Sequence, residues 1–334
     1  MLARRDTRLG AVDTRPHFQS LRPWLIETFG RPVHRVALDA GSQCPNRDGT
    51  KGFGGCVYCD VEGSGTGALR RGVDLAAQLE QGLARVARRD ADGGAIAYFQ
   101  SYSNTYVEPA RLAEVLAVVE PHLDRPAAAG GPRIVAVAVA TRPDTLSEAA
   151  LDVLAATARR VPVWVELGLE SASDAVLREI NRLHTLADFE DAVARAHARG
   201  LATVAHAILG LPGDGREGAR ATARALARAG SAGVKVHQLM VLKRTALERW
   251  WRDGRLELLT QESYVAWLAD FVERLSPEQV LHRLTGEAPG DALLAPPWSR
   301  DKHGVRRALL AELARRGTRQ GSLAGEREAL QSRM

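Results

Sequence analysis

The sequence predicts an α/β fold in which about six parallel strands alternate with helices and curl into a barrel or partial barrel. Three observations predict it. Between residues 33 and 241, short β-branched apolar runs alternate with longer segments of helical period rich in Ala, Arg and Leu. The short runs are almost continuously hydrophobic, as parallel strands buried on both faces must be. Several of them end in polar residues, and they do so one after another along the chain.

The strands are expected around 34–40 with its flank (VHRVALDA), then at 95–100 (AIAYFQ), 133–141 (RIVAVAVAT), 161–170 (VPVWVELGLE), 201–210 (LATVAHAILG) and 234–241 (VKVHQLMV). Between them lie DLAAQLEQGLARVARR from Asp74, SEAALDVLAATARR from Ser147 and REGARATARALARAG from Arg216, all of helical period. The polar ends are Gln100 and Ser101, then Thr141, Arg142 and Asp144, then Glu166 and Glu170, then His206, then Lys235 and His237. A doubly wound sheet would gather such residues at one switch point, whereas a parallel barrel brings every strand end to one mouth. Their spread therefore selects the barrel. Residues 1–32 form an N-terminal segment. Residues 242–334 do not continue the alternation, and a break near ERLSPEQ marks a C-terminal extension packed on the barrel.

Composition sets further bounds. With 334 residues, 45% hydrophobic and 25% charged, the chain has the make-up of a folded globular protein rather than a disordered one. No run approaches the roughly 18 apolar residues of a membrane-spanning helix. The first residues, MLARRDTRLGAVDTRPHF, lack the apolar core of a signal peptide. The expectation is a cytoplasmic chain whose thiols stay reduced, so that clustered cysteines bind metal rather than pair. The net charge of +5 is weak evidence for an anionic partner, because only four of 45 basic residues are lysines and the Arg, Ala and Gly bias runs through the whole chain.

All three cysteines fall in one glycine-rich stretch, CPNRDGTKGFGGCVYC, at Cys44, Cys56 and Cys59. It follows the first strand, at the mouth where the polar strand ends gather. Three thiolates are an incomplete set for a structural zinc, which takes four protein ligands. Held by three cysteines, a [4Fe-4S] cluster keeps one iron open to a non-protein ligand. Gly49, Gly52, Gly54 and Gly55 would let the backbone curl around it with positive φ, and Tyr58 is placed to cover its face. No fourth cysteine exists for a second all-cysteine cluster.

The stretch resembles the cluster loop of the radical SAM superfamily in a widened-spacing form. CPNRDGT with GGCVYC, then AYFQSYSNTY, TRPD, WVELGLES, INRLH, AILGLPGD, VKVHQLMVLK and LLAPPW resemble, in that order, the bacterial YhcC/YtqA-type radical SAM proteins. TRPD, ELGLES and GLPG recur in the Elongator catalytic subunit, a more distant tRNA-modifying relative.

The resemblance implies a partial (β/α)6 TIM-like barrel and an enzyme that cleaves S-adenosylmethionine to a 5'-deoxyadenosyl radical. It also implies a [4Fe-4S] cluster on Cys44, Cys56 and Cys59, a reductant such as flavodoxin or ferredoxin, and tRNA as a substrate. By position it assigns Gln100 and Ser101 to the methionine ammonium and Thr141 and Arg142 to its carboxylate. Glu170 falls to the ribose, and Leu209, Gly210 and Leu211 to the adenine. Glu166, His206, Lys235 and His237 are left for the substrate pocket.

Other readings of the same residues stay open. Arg142 and Asp144 can pair with each other, Glu166 can be a buried structural acid, and His206 a satisfied core histidine. An inward Lys235 is costly unless it meets an anion. The resembling proteins usually carry proline at the place of Gln238 and glycine at that of Arg244, so substrate identity is less secure than radical chemistry. A small anionic metabolite or a peptide could take the place of tRNA. From another class, a non-catalytic zinc-binding RNA or protein adaptor would use the three cysteines and a histidine.

Overall fold

A computed structural model describes residues 16–60, 67–123, 131–288 and 290–325. The ends of the N-terminal segment and of the C-terminal tail, 1–15 and 326–334, lie outside these.

The described residues begin with α1 (Leu21–Phe29) and β1 (Val33–Leu38), which runs into the cysteine loop. Then follow α2 (Leu75–Arg89), β2 (Gly94–Phe99), α3 (Pro109–Ala117), α4 (Glu120–Leu123), β3 (Arg133–Thr141), α5 (Glu148–Ala158) and β4 (Val163–Glu170). Next come α6 (Asp174–Glu179), α7 (Leu186–His197), β5 (Ala202–Leu209), α8 (Gly215–Ala229) and β6 (Gly233–Gln238). The remainder comprises β7 (Val241–Leu242), α9 (Ala246–Arg252), α10 (Gln261–Arg274), β8 (Val280–Arg283), β9 (Leu293–Ala295) and α11 (Lys302–Arg316).

Local chemistry starts the helices where the periodicity does. The Asp74 and Ser147 side chains accept hydrogen bonds from the backbone N–H groups of Ala77 and Ala150, and Thr185 with Asp188 forms a capping box for α7.

Seven strands pair in parallel in the order β1-β2-β3-β4-β5-β6-β8. The sheet curls into a half-barrel whose two edges, β1 and β8, do not pair. α1 packs against both edges, and the Leu281 N–H donates to the Gln19 carbonyl at 2.8 Å. The seventh strand corrects the expectation that alternation stops at 241. ERLSPEQ is the turn between α10 and β8, so one further helix–strand unit comes from the C-terminal region. The short strand Val280–Arg283 was hidden because two of its four residues are polar.

Side-chain alternation divides the molecule. The outward face of the strands (Phe99, Val137, Val139, Val165, Leu167, Val234, Val236) builds the main core against the helices. The inward face carries Ile96, Tyr98, Ala136, Ala138, Ala140, Trp164 and Val204, plugged from below by Leu25 and Trp24 of α1. Three inward alanines on β3 leave space for the ring of Trp164 and for a cavity above it. Burial of these faces supplies the main stabilisation of the fold, at roughly 25 cal/mol per Å² of apolar surface.

One backbone position is strained. Arg244 has φ 64°, the left-handed region in which a side chain costs about 1 kcal/mol or more and glycine does not. Glycine would occupy that position without the cost. Arg244→Gly is therefore expected to raise stability by about 1 kcal/mol, read as a higher urea midpoint with an unchanged slope.

Candidate active site

The mouth of the half-barrel holds a cavity of about 220 Å³ lined by Cys44, Cys56 and Cys59 together with strand-end residues. Gly49 and Gly55 in the cysteine loop take left-handed φ of 91° and 78°. Gly52 does not, and is needed for a different reason: a Cβ there would lie 2.6 Å from the Leu183 side chain.

The loop is tied down by the segment INRLH. Asn181 donates from Nδ2 to the carbonyls of Phe53 and Gly55 at 3.1 and 2.8 Å. Asn46, fully buried, donates back to the carbonyls of Asn181 and Arg182 at 2.6 and 3.1 Å. The Val57 N–H reaches the Ile180 carbonyl at 3.1 Å.

Arg182 joins three parts of the site. Its Nη1 lies 3.9 Å from Cys56 Sγ, its Nη2 donates to the Gly168 carbonyl at 2.9 Å, and its charge faces Glu170 at 3.5 Å. Asn46 Nδ2 also approaches Cys56 Sγ, at 3.8 Å. Arg47 donates to the carbonyls of Cys59 and Asp60 at 3.3 and 2.5 Å. Burial and the adjoining Cys56 push the Cys59 thiol up to about 12, against the pull of Arg47.

Arg142 has little of its guanidinium left for the carboxylate assigned to it. Its Nε and Nη2 are taken by Asp144 at 2.9 and 2.7 Å, and Nη2 also donates to the Arg182 carbonyl at 2.8 Å. Only Nη1, buried and unpartnered, remains. Lys51 also reaches Asp144, at 2.6 Å. Burial works to raise the Asp144 carboxyl, but Arg142 and Lys51 outweigh it and hold it at about 2.

Relative to its ordinary 3.8, a depressed carboxyl stabilises the fold above that value and stops doing so as pH falls through 2. Asp144→Asn is thus expected to cost about 2 kcal/mol at pH 7. In urea titrations of both proteins from neutral to acid pH, the difference should shrink steadily below about pH 4.

The other strand ends divide. Gln100, Thr141, Glu166, Glu170, His206 and His237 line the cavity as the polar endings suggest. The Thr141 hydroxyl is engaged internally, with Ser103 at 2.9 Å and Thr105 at 2.5 Å. The Ser101 hydroxyl is buried and unpartnered and does not line the cavity. Nor do Leu209, Gly210 and Leu211. Leu209 belongs to the outer core, Leu211 packs with Val176 and Leu239, and a Cβ on Gly210 would meet Leu259. Strand alternation explains this, since His206 and Ile208 point inward and Leu209 must point out.

At the cavity floor, Glu166 receives the Lys235 ammonium and, at 2.9 Å, His206 Nε2. The Lys235 Nζ sits 4.2 Å from the Tyr98 ring centroid. Burial would raise the Glu166 carboxyl, but Lys235 and His206 hold it well below its usual range. A carboxylate only accepts, so His206 carries its proton on Nε2. The His206 and His237 rings stack with centroids 5.5 Å apart. Burial and Arg283 push His237 well below its ordinary range, which leaves a neutral imidazole with an unpartnered Nε2.

Gln238 exchanges two hydrogen bonds with the Gly286 backbone at 3.2 and 2.7 Å. It fixes the wall beside His237, because a Cβ at Gly286 would lie 2.9 Å from His237 Nδ1.

Residues 44–226 match the radical SAM superfamily, and residues 231–315 match the Radical_SAM C-terminal domain. The chain belongs to the radical SAM superfamily. YtqA of Bacillus subtilis is 37% identical over 309 residues, covering 92% of this chain and 93% of its own. The tRNA uridine(34) acetyltransferase of Dehalococcoides mccartyi is 28% identical over 182 residues, 53% of this chain and 39% of that one. Among solved structures, the archaeal Methanocaldococcus infernus Elp3 has the same fold, with a TM-score of 0.65 at 15% identity, over 86% of this chain and 64% of that chain.

Radical SAM enzymes use a [4Fe-4S] cluster and S-adenosylmethionine, and the residues present fit both. Three thiols with no fourth face one cavity, N–H groups of Asn46 and Arg182 aim at Cys56, and an unpartnered guanidinium nitrogen is buried on Arg142, a lining residue. Among the described residues, no three His, Cys, Asp or Glu side chains are gathered as for a single metal ion. No described helix is long and apolar enough to cross a membrane.

The sequence reading missed Arg182, Asn46, Arg47 and Asn181. Asn46 and Arg47 lie in CPNRDGT and Asn181 and Arg182 in INRLH, polar residues within two of the motifs that carry the resemblance. Tyr98 was also missed, having been read as one more apolar residue of a strand.

Proposed function

We propose that this radical SAM enzyme modifies a tRNA base, with the wobble-uridine side chain as the target. The observation that carries this reading is the match between about half of the chain and a relative whose name specifies uridine 34 of tRNA. The cavity supports it: neutral imidazole from His237, the amide of Gln100 and the Arg283 guanidinium offer donors and acceptors to a nucleobase edge lifted from its stack.

In this reading Cys44, Cys56 and Cys59 hold the cluster, which with S-adenosylmethionine supplies one-electron chemistry ending in abstraction of a substrate hydrogen. The protein's own residues do the rest. Arg182 orients Cys56 and Glu170 together, and Glu170 accepts from ribose hydroxyls. Gln100 and the free Nη1 of Arg142 meet the polar end of the methionine group. Glu166, Lys235 and His206 hold the cavity floor rigid, and His237 offers its unpartnered nitrogen to the substrate. The electron donor is a flavodoxin or ferredoxin, and the setting is cytoplasmic.

Two experiments test this. Anaerobic reconstitution should give about four irons and four sulfides per chain, as in a [4Fe-4S] cluster, with a reduced-cluster spectrum that changes on adding S-adenosylmethionine. One tight zinc and no response would favour the adaptor reading. Comparing tRNA nucleosides from a deletion strain and its parent should show one modification missing. An unchanged profile would remove tRNA and leave a small anionic metabolite or a peptide.

A further inference from the structure

We infer that the groove along the open seam of the half-barrel binds the phosphodiester backbone of single-stranded RNA. The inference rests on the RNA reading above and extends it to the strand flanking the reacting nucleotide.

Where the sheet stops between β1 and β8, a groove of about 630 Å³ is formed by α1, β1, β8 and the first turns of α11. Arg22, Arg35, Arg89, Arg283, Lys302 and Arg306 line it. Glu287 is the one carboxylate in that lining, and it is held by Lys302 at 2.5 Å. The side chains of Arg22, Arg35 and Arg89 make no hydrogen bond or ion pair among the described residues. Arg306 lies over the Phe18 ring, 5.7 Å from its centroid. Arg35 and Arg283 are near enough for repulsion to add to burial in lowering Arg283.

Several arginines outside the groove are neutralised by carboxylates. Arg195 and Arg199 are bound by Asp191, Asp152 and Glu148, and Asp270 collects Arg216, Arg220 and Arg316. The seam thus gathers six cations in one groove against a single carboxylate. Self-repulsion of this kind opposes the folded state until an anion relieves it. Guanidinium groups take phosphate oxygens in a fork geometry, and a nucleic-acid strand presents those oxygens in series.

Continuity with the cavity gives the groove its direction. Arg283 lines both spaces, so a strand lying along the seam leads one nucleotide toward the cysteine mouth.

The test uses the full chain and the triple variant Arg22→Gln/Arg89→Gln/Arg306→Gln, whose three side chains are exposed and whose folding is checked by circular dichroism. A second variant, Arg195→Gln/Arg199→Gln, removes paired cations outside the groove. Binding of a labelled anticodon stem-loop RNA is followed by fluorescence anisotropy from about 50 to 200 mM salt.

The triple variant should bind at least tenfold more weakly, with the slope of log affinity against log salt reduced by about 0.7 per cation removed, or roughly 2 in all. The control variant should match the wild type. Equal slopes for wild type and triple variant overturn the groove while leaving the tRNA reading intact, and so does an equal loss in the control. Binding of phosphatidylglycerol vesicles through the groove, with no RNA binding, also overturns it. The deletion-strain nucleoside profile is scored separately, so failure of the tRNA reading is recognised on its own.

Discussion

Arg182→Met is expected to destabilise the fold by roughly 3–5 kcal/mol and to lower iron retention after anaerobic reconstitution. The side chain is 10% exposed, and its removal leaves Glu170 buried without its cation and Cys56 without its guanidinium donor. Losing one partner of a buried charge pair is costly because the other charge cannot regain its water. Arg182→Lys should recover only part of the loss. A single ammonium cannot reach both Cys56 and the Gly168 carbonyl, which the two arms of the guanidinium do at once. Urea denaturation of the three apo-proteins checks the stability, and iron per chain checks the site. Full recovery in the lysine variant would mean that the charge matters and the fork does not.

The second large effect lies at the cavity floor. Lys235→Met strands Glu166, since both side chains are only 1% exposed, and should cost roughly 3–5 kcal/mol at neutral pH. Glu166→Gln alone removes the anion that favours the Lys235 ammonium, which burial already lowers to about 7, so the lysine sheds its proton and the cost is smaller. The double variant should recover most of the loss, because a neutral amide can still accept from His206 and no charge remains to be solvated. A coupling of 2 kcal/mol or more from the four urea curves is the expected result. Simple additivity would show that the ammonium and carboxylate are each satisfied by other groups. Activity is predicted to stay low in the double variant, since His206 loses the full negative charge that fixes its proton on Nε2.

The strand assignments and the cysteine loop were legible because they depend on local pattern. Continuous β-branched runs between amphipathic helices can be buried only as parallel strands, and three cysteines within one glycine-rich loop meet whatever the rest does. The inward set of Glu166, His206, Lys235 and His237 was also legible, since period-two alternation puts polar residues on the face opposite the helices. The same rule could have excluded Leu209, whose neighbour Ile208 takes the inward place.

Partners across the barrel were not legible. Whether Arg142 meets Asp144 or a ligand, whether Lys235 finds an anion in Glu166, and which of many arginines remain unpaired depend on strand register and loop approach over separations of tens of residues. Arg182 is the clearest case. Its sequence neighbours give it no role, and only the left-handed turn at Asn181 and Leu183 brings its side chain back beneath Cys56. β8 was obscured for a related reason: a four-residue edge strand carries too little periodicity to stand out, and it is fixed by pairing with β6. The sequence by itself determined the chemistry of the cysteine loop and the alternation of strand and helix, because both are set by neighbours along the chain. The tertiary structure alone decided which charges are neutralised and which are left facing the seam, because that depends on distances between residues the chain keeps far apart.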